Sequence, residues 1–407
     1  MKKTLLTFCC LCIAMLSVQA QFRVVGYLAT WSTGYPGNIT SVDLTKVTHI
    51  NIAFGNPNTA GDLTINTTKV ATVVTAAHAA NVKVLISIGG AGANGTRYQT
   101  LLASDASADA FIAKLVAFVN TNNLDGIDVD IEGDVLDGNY VTAARYQYFV
   151  TALKTALHNN NKIMTAALAT WFGSYVTNTA AAQFDFIGVM SYDYTLPGQS
   201  AGPIAPYSQM TTDYNYWHNT KGVPAANLVI GVPFYGYGFG TYAMPDEISY
   251  CDIVNTYTVT DADDMVGSGA NSIRYNGVTT IKSKAAYALA NASGIMIWQI
   301  TEDCATSDSR SLLLAISQTT TTTPVATPVG INGISVFPNP AQEAVTIEGI
   351  DLSEGALITL TDLSGRIVST QLWSSSGIID MTQLNQGLYI ISIRSDKGVY
   401  TTRIQKM

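Results

Sequence analysis

Eight apolar, strand-forming runs recur before residue 317, and between them lie longer stretches with helical periodicity. The runs are "RVVGYLA", "THINIAF", "VKVLISIGG", "DGIDVDIE", "KIMTAALA", "FDFIGVMSYD", "LVIGVPFYG" and "GIMIWQI". Several are nearly continuous in hydrophobicity rather than alternating, as expected of parallel strands covered by helices. In "SADAFIAKLVAFV", Phe111, Leu115 and Phe118 share a helical face behind Ser107 as candidate cap; in "AARYQYFVTALKTALH", Phe149, Leu153 and Leu157 do the same. Eight such units over residues 22 to 316 predict an α/β fold, a (β/α)8 TIM barrel, with active groups at the C-terminal ends of its strands. A doubly wound sheet is the alternative, but no Gly-rich dinucleotide fingerprint opens the first crossover.

The segment "SQTTTTTPVATPVG", residues 317–330, has too little apolar content to pack and reads as a linker. Beyond it, residues 331–407 hold short β-rich stretches ("VFPNP", "LTDLSGRIV", "IDMTQLNQGLYIISI") parted by turn residues, which predicts a small all-β sandwich. Residues 1–20 read as a secretory signal: Lys2 and Lys3, an apolar run from Leu5 to Leu16, then Val18-Gln19-Ala20. Cys9, Cys10 and Cys12 are taken as part of that segment, because Phe8 and Leu11 are too bulky to precede a lipid-bearing cysteine. The barrel domain then spans residues 21–316.

Only Cys251 and Cys304 remain, which leaves open one disulfide or two separately buried thiols. With four scattered histidines they assemble no metal cluster, and no transmembrane segment is expected in the mature protein. A net charge of -8 argues against nucleic acid or an anionic membrane surface as partner.

The most unusual stretch is "LDGIDVDIEGD", Leu124 to Asp134. If Ile127 to Glu132 is a strand, Asp128, Asp130 and Glu132 point into the barrel while Ile127, Val129 and Ile131 pack outward. Three inward carboxylates cannot all stay ionised, so at least one pKa is pushed up. Glu132, nearest the open end, is the candidate general acid, tuned by the pair beneath it. Asp125 has the opposite parity and a structural role in the preceding turn. An EF-hand start and a solvated edge strand are the competing readings. The first puts Asn139 where calcium needs a bidentate Glu, and the second leaves three large aliphatics unexplained.

"DGIDVDIE" resembles the DxxDxDxE signature of glycoside hydrolase family 18, the chitinases and their relatives. "SIGG" (Ser87 to Gly90), "MSYD" (Met190 to Asp193) and Trp298 in "GIMIWQI" are similar to that family's elements at the third, sixth and eighth strands. The resemblance covers about Val24 to Ile316. It implies retaining, substrate-assisted hydrolysis of a β-1,4 bond beside N-acetylglucosamine, with no cofactor. Glu132 would protonate the leaving oxygen while the sugar's acetamido carbonyl attacks the anomeric carbon. Asp130 would orient the acetamido N–H and share a proton with Asp128, and Tyr192 would hydrogen-bond the acetamido oxygen. Asp193 and Met190 would hold the sugar, Trp298 would floor it, and Ser87, Gly89 and Gly90 would shape the backbone nearby. Trp31, Trp171, Tyr235 and Tyr237 lie near strand ends, where they could line subsites or simply pack.

Two departures stand out. After the sixth-strand motif, "YTLPG" offers Tyr194, Thr195 and Leu196 where the family often has a large stacking aromatic. The stretch Gly240 to Ser293 looks short for the α+β insertion of exo-acting members, which favours an open, endo-acting cleft. The resemblance therefore implies a secreted chitinase. An endo-β-N-acetylglucosaminidase acting on the chitobiose core of N-glycans and a non-catalytic chitin-binding lectin are the alternatives. The C-terminal region resembles the sorting domain with which Bacteroidetes-type bacteria address proteins to the type IX secretion machinery. A carbohydrate-binding module is its alternative, with only Trp373, Tyr389, Tyr400 and Phe337 as ring candidates.

Overall fold

The computed structural model describes residues 21–137, 140–244, 247–320, 334–348, 357–362, 367–372, 377–382, 384–395 and 398–407. The expected signal at residues 1–20, most of the linker, Asn139 and Trp373 lie outside these. The chain divides into two compact units, one reaching Thr320 and one starting at Thr321.

In the first unit eight parallel strands close into a barrel: Arg23–Ala29, His49–Ala53, Lys83–Gly89, Gly126–Asp130, Ile163–Leu168, Phe186–Val189, Leu228–Pro233 and Gly294–Trp298. The first strand pairs with both the second and the eighth, so no sheet edge remains and the open doubly wound alternative is excluded. Two apolar clusters divide along the period of two. Ile50, Ile52, Ile86, Ile88, Ile127, Val129 and Ile131 belong to the cluster that also contains the buried helix residues Phe111, Phe149 and Leu153. Val25, Tyr27, Ala53, Ala167, Phe186, Val229 and Met296 form a separate interior cluster.

Three local readings are corrected. The helix Asp105–Thr121 is capped by Ser104, whose hydroxyl accepts from Ser107 N–H; Ser107 is the third helical residue and closes the capping box. The fourth strand ends at Asp130, and Glu132 stands at the N-cap position of the short helix Gly133–Leu136 without a capping hydrogen bond from its side chain. Its backbone is still extended (φ -94°, ψ -180°), so the alternation of faces continues to the acid. The segment between the seventh and eighth strands is not bare either. It builds a four-stranded antiparallel sheet from Tyr235–Phe239, Ile248–Ser249, Met265–Ser268 and Asn271–Arg274, with the helix Tyr250–Thr256. The insertion walls the cleft through Tyr237 and Glu247, contrary to the open cleft expected from a short segment.

Cys251 in that helix is disulfide-bonded to Cys304 beyond the eighth strand. This resolves the alternative left open by composition. The helix Leu312–Thr320 runs past the expected domain end at residue 316: Asp303 accepts from the backbone N–H groups of Leu312 and Leu313 at its start, and the Thr319 and Thr320 hydroxyls donate to the Ala315 and Ile316 carbonyls in its last turn.

The second unit contains a three-stranded and a four-stranded antiparallel sheet, both contributing to one core around Val345, Ile347, Ile358, Leu360, Ile391 and Ile404. This is the expected small all-β sandwich. Tyr389 belongs to its core and Tyr400 packs against it, which leaves Phe337 as the exposed large ring among its described residues. Among the described residues no helix is long and apolar enough to cross a membrane.

Candidate active site

Register builds the site from the floor upward. Ser87 on the third strand and Thr165 on the fifth stand level with Asp128 on the fourth. Ser87 Oγ donates to Asp128 Oδ2 at 2.7 Å and Thr165 Oγ1 to Oδ1 at 2.5 Å. Tyr27 reaches across the barrel and donates to Oδ2 at 2.6 Å. Burial pushes the Asp128 carboxyl upward, and these three hydroxyls pull it back toward ionisation. A carboxylate enclosed in a strand by three hydroxyl donors does not form an EF-hand, so the calcium reading is set aside.

Asp130, two residues on, has the opposite environment. It is buried, and among the described residues its Oδ1 has no hydrogen-bond partner. Burial, then the charges of Glu132 and Asp128, hold its pKa well above the usual carboxylate range. Glu132 is half-buried at the strand mouth. Burial, then Asp134 and Asp193, raises it to about 7, so it carries a proton for much of the neutral range. The column thus grades from a well-bonded acid at its base to a proton donor at its open end.

The glycines at the third strand end allow the backbone to approach Asp130. Gly89 and Gly90 have φ of 112° and 82°, and Gly90 N–H donates to the Asp130 carbonyl at 2.7 Å. A Cβ on Gly89 would lie 2.1 Å from that carbonyl oxygen, so no side chain fits there. Asn56 fixes the same turn, exchanging two hydrogen bonds of 2.8 Å with the Gly89 backbone. Asp125 stands apart from the column. It accepts from Val84 N–H and pairs with His78 Nε2 at 2.8 Å, joining helix Thr67–Ala79 to the third strand.

Above the column, Trp31, Phe54, Asp130, Glu132, Met190, Tyr192, Asp193, Tyr237, Glu247 and Trp298 are among the residues lining a chamber of about 270 Å³. Trp31, Tyr237, Glu247 and Trp298 also line an adjoining groove of about 1190 Å³. Phe54 stacks against both Trp31 and Trp298 at 5.9 Å, forming an apolar wall. The Tyr192 hydroxyl donates to the Met296 thioether at 3.6 Å, a weak acceptor that a carbonyl oxygen readily replaces.

Of the expected residues, Tyr235 is not in the wall. It is buried and donates to Asp193 Oδ1, while Tyr237 faces the cleft. Trp171 is 67% exposed outside the chamber, its indole lying where a side chain on Gly133 would have to go. This places a free aromatic face beside the residue that follows Glu132. Tyr194, after the sixth-strand motif, is also exposed. Phe54, Asn56, Thr165 and Glu247 were not anticipated. Phe54 carried a signal, since it directly follows the second strand. Among the described residues no group of His, Cys, Asp or Glu could hold a metal ion.

A closed parallel barrel with graded carboxylates at one strand mouth and an aromatic-walled groove above them defines a barrel glycoside hydrolase. The chain belongs to glycosyl hydrolases family 18, whose profile matches residues 23–303, and residues 335–407 match the secretion system C-terminal sorting domain. The family 18 chitinase ChiB from the chitin utilization locus of Flavobacterium johnsoniae has a similar structure (TM-score 0.66, 32% identity, covering 74% of this chain and 95% of that one). A probable endochitinase of Caenorhabditis elegans is 31% identical over 181 residues, covering 39% of this chain and 29% of that protein. Chitinase A1 of Niallia circulans is 27% identical over 345 residues, covering 63% and 49%. The chain thus spans under half the length of these two curated relatives.

Proposed function

We propose that the chain hydrolyses β-1,4 bonds of N-acetylglucosamine polymers, chitin among them, with retention and by substrate-assisted catalysis. The observation that carries this reading is the unpartnered buried oxygen of Asp130 beneath the chamber. A buried acceptor without a donor is costly, and the N–H of a 2-acetamido group supplies the missing donor. Glu132 gives its proton to the glycosidic oxygen as the C1–O bond breaks, and the acetamido carbonyl oxygen closes on C1 to form an oxazolinium ion. Asp130 and Asp128 share one proton and balance the developing positive charge. The Tyr192 hydroxyl leaves Met296 for the acetamido oxygen, while Trp298 carries the apolar face of the ring. Water then attacks C1, Glu132 takes its proton, and the acetamido group is restored.

Endo attack is the proposed mode. It is supported by two separate exposed indoles, Trp31 lining the chamber and Trp171 beside Gly133, and by the name endochitinase borne by one of the relatives. Residues 1–20 and the sorting domain are read as successive export signals, with type IX secretion delivering the enzyme to the medium or outer surface. Incubation with chitin oligosaccharides and with a high-mannose glycoprotein, with products weighed by mass spectrometry, tests the substrate. Cleavage of the glycoprotein alone would transfer the activity to N-glycans, and cleavage of neither would make the protein a binder.

A further inference from the structure

Lys284, on the helix Val278–Asn291 that leads into the eighth strand, is fully buried. Among the described residues it makes no hydrogen bond to a carboxylate. Its Nζ donates to the Ala205 carbonyl at 2.8 Å and to Asn276 Oδ1 at 2.7 Å, both neutral acceptors. Burial lowers its pKa to about 7, against a smaller upward pull from the charges of Asp264 and Asp213. A buried ammonium carries a desolvation cost and persists where its hydrogen bonds hold something in place.

What it holds is the loop after the sixth strand. That loop leaves the barrel through Tyr192 and Asp193, where Asp193 takes the left-handed conformation (φ 59°), and returns through Pro203, Ile204 and Ala205. Tyr194 N–H donates to the Ile204 carbonyl at 2.8 Å, and Thr195 Oγ1 to that of Pro203 at 3.0 Å, so the outgoing and returning arms are tied. Ile204 and Ala205 pack in one cluster with Tyr235, against which Tyr192 and Trp298 lean. Asn276, the other acceptor, follows the last strand of the insertion, whose first strand contributes Tyr235 and its hydrogen bond to Asp193.

We propose that Lys284 is a positioning residue: it pins the returning arm of this loop to the insertion and so sets the Tyr192 hydroxyl and the Asp193 carboxylate for the sugar. This rests on the reading of Tyr192 and Asp193 given above. A pair of reacting groups displaced by about 1 Å loses on the order of 100-fold in rate, so a buried tether two hydrogen bonds from Asp193 has a kinetic signature distinct from a stability effect.

The test compares wild type, Lys284→Met and Tyr192→Phe on chitotetraose at 25 °C, in protein shown to be folded by circular dichroism. It also measures inhibition by a chitobiose thiazoline, which copies the oxazolinium ring. Lys284→Met is expected to lower kcat about tenfold or more with KM changed by less than about threefold, and to weaken the thiazoline in parallel with kcat. A purely structural lysine would lower the melting temperature and leave both values where they were. Folded Lys284→Met with a wild-type kcat, beside an impaired Tyr192→Phe, would overturn the role of Lys284 alone. A fully active Tyr192→Phe would overturn the reading of Tyr192 and this role with it. Should Lys284→Met not fold, Asn276→Ala removes one of the two acceptors and keeps the lysine. It is expected to lower kcat by about threefold or more with the same weakening of the thiazoline, and an unchanged kcat would contradict the proposal.

Discussion

The Tyr27 hydroxyl donates to Asp128 Oδ2 at 2.6 Å, linking the first strand to the fourth through the barrel interior. With Ser87 and Thr165 it supplies the donors that offset part of the burial cost of the Asp128 carboxylate, and Asp130 above it has no such set. The asymmetry pushes the Asp130 carboxyl well above the usual carboxylate range, while the hydroxyl donors counter the rise at Asp128. Removing one donor leaves a buried acceptor under-satisfied. Thr165→Val, close to isosteric, is expected to lower the unfolding free energy by about 1–3 kcal/mol in urea melts at neutral pH.

Glu132 sits near pH 7 because burial and the negative charges of Asp134 and Asp193 disfavour its ionised form. The acid must be protonated to act, so kcat/KM falls as pH rises through its pKa. Removing a like charge stabilises the carboxylate, lowers the pKa and moves that alkaline limb to lower pH. Asp134→Asn, an exposed position, is expected to shift the limb to lower pH. An unmoved or upward-shifted limb in the pH profile would contradict the assignment.

Trp171 presents an exposed indole beside Gly133. If it stacks a sugar beyond the cleavage point, its loss harms long substrates more than short ones. Trp171→Ala is expected to lower kcat/KM on chitohexaose about tenfold, equivalent to about 1.4 kcal/mol of stacking, with little change on chitotriose. An equal effect on both would assign the residue to packing.

The Cys251–Cys304 bridge spans 53 residues and ties the insertion helix to the segment after the eighth strand. Constraint of the unfolded chain across such a loop contributes about 2–4 kcal/mol. The Cys251→Ser/Cys304→Ser double variant is expected to lose that much in denaturant titrations, with kcat at 25 °C little affected because neither cysteine lines the chamber that holds Glu132, Cys251 bordering only the adjoining groove.

The barrel and its carboxylate column were legible because both rest on local periodicity. Ile127, Val129 and Ile131 can face only the helices, which commits Asp128 and Asp130 to the interior. The partners of those acids were not legible. Tyr27 is 101 residues from Asp128, and nothing in "GYLAT" distinguishes an interior donor from an ordinary core tyrosine. Tyr235 and Tyr237 show the same limit: both follow the seventh strand and bond Asp193, and the insertion sheet decides that one is fully buried while the other lines the groove. That sheet was missed because its strands are only two to five residues long, too short for a period of two to stand out.

The central claim is that the substrate's own acetamido group attacks while Glu132 supplies and recovers the proton. Proton NMR of freshly cleaved chitotetraose, recorded before mutarotation, tests it most directly. Wild type is expected to release the β-anomer first and to leave a fully de-N-acetylated tetramer uncut, while Glu132→Gln loses about 100-fold or more of the rate. Initial release of the α-anomer, cleavage of the de-N-acetylated tetramer at a comparable rate, or full activity in Glu132→Gln would contradict the account.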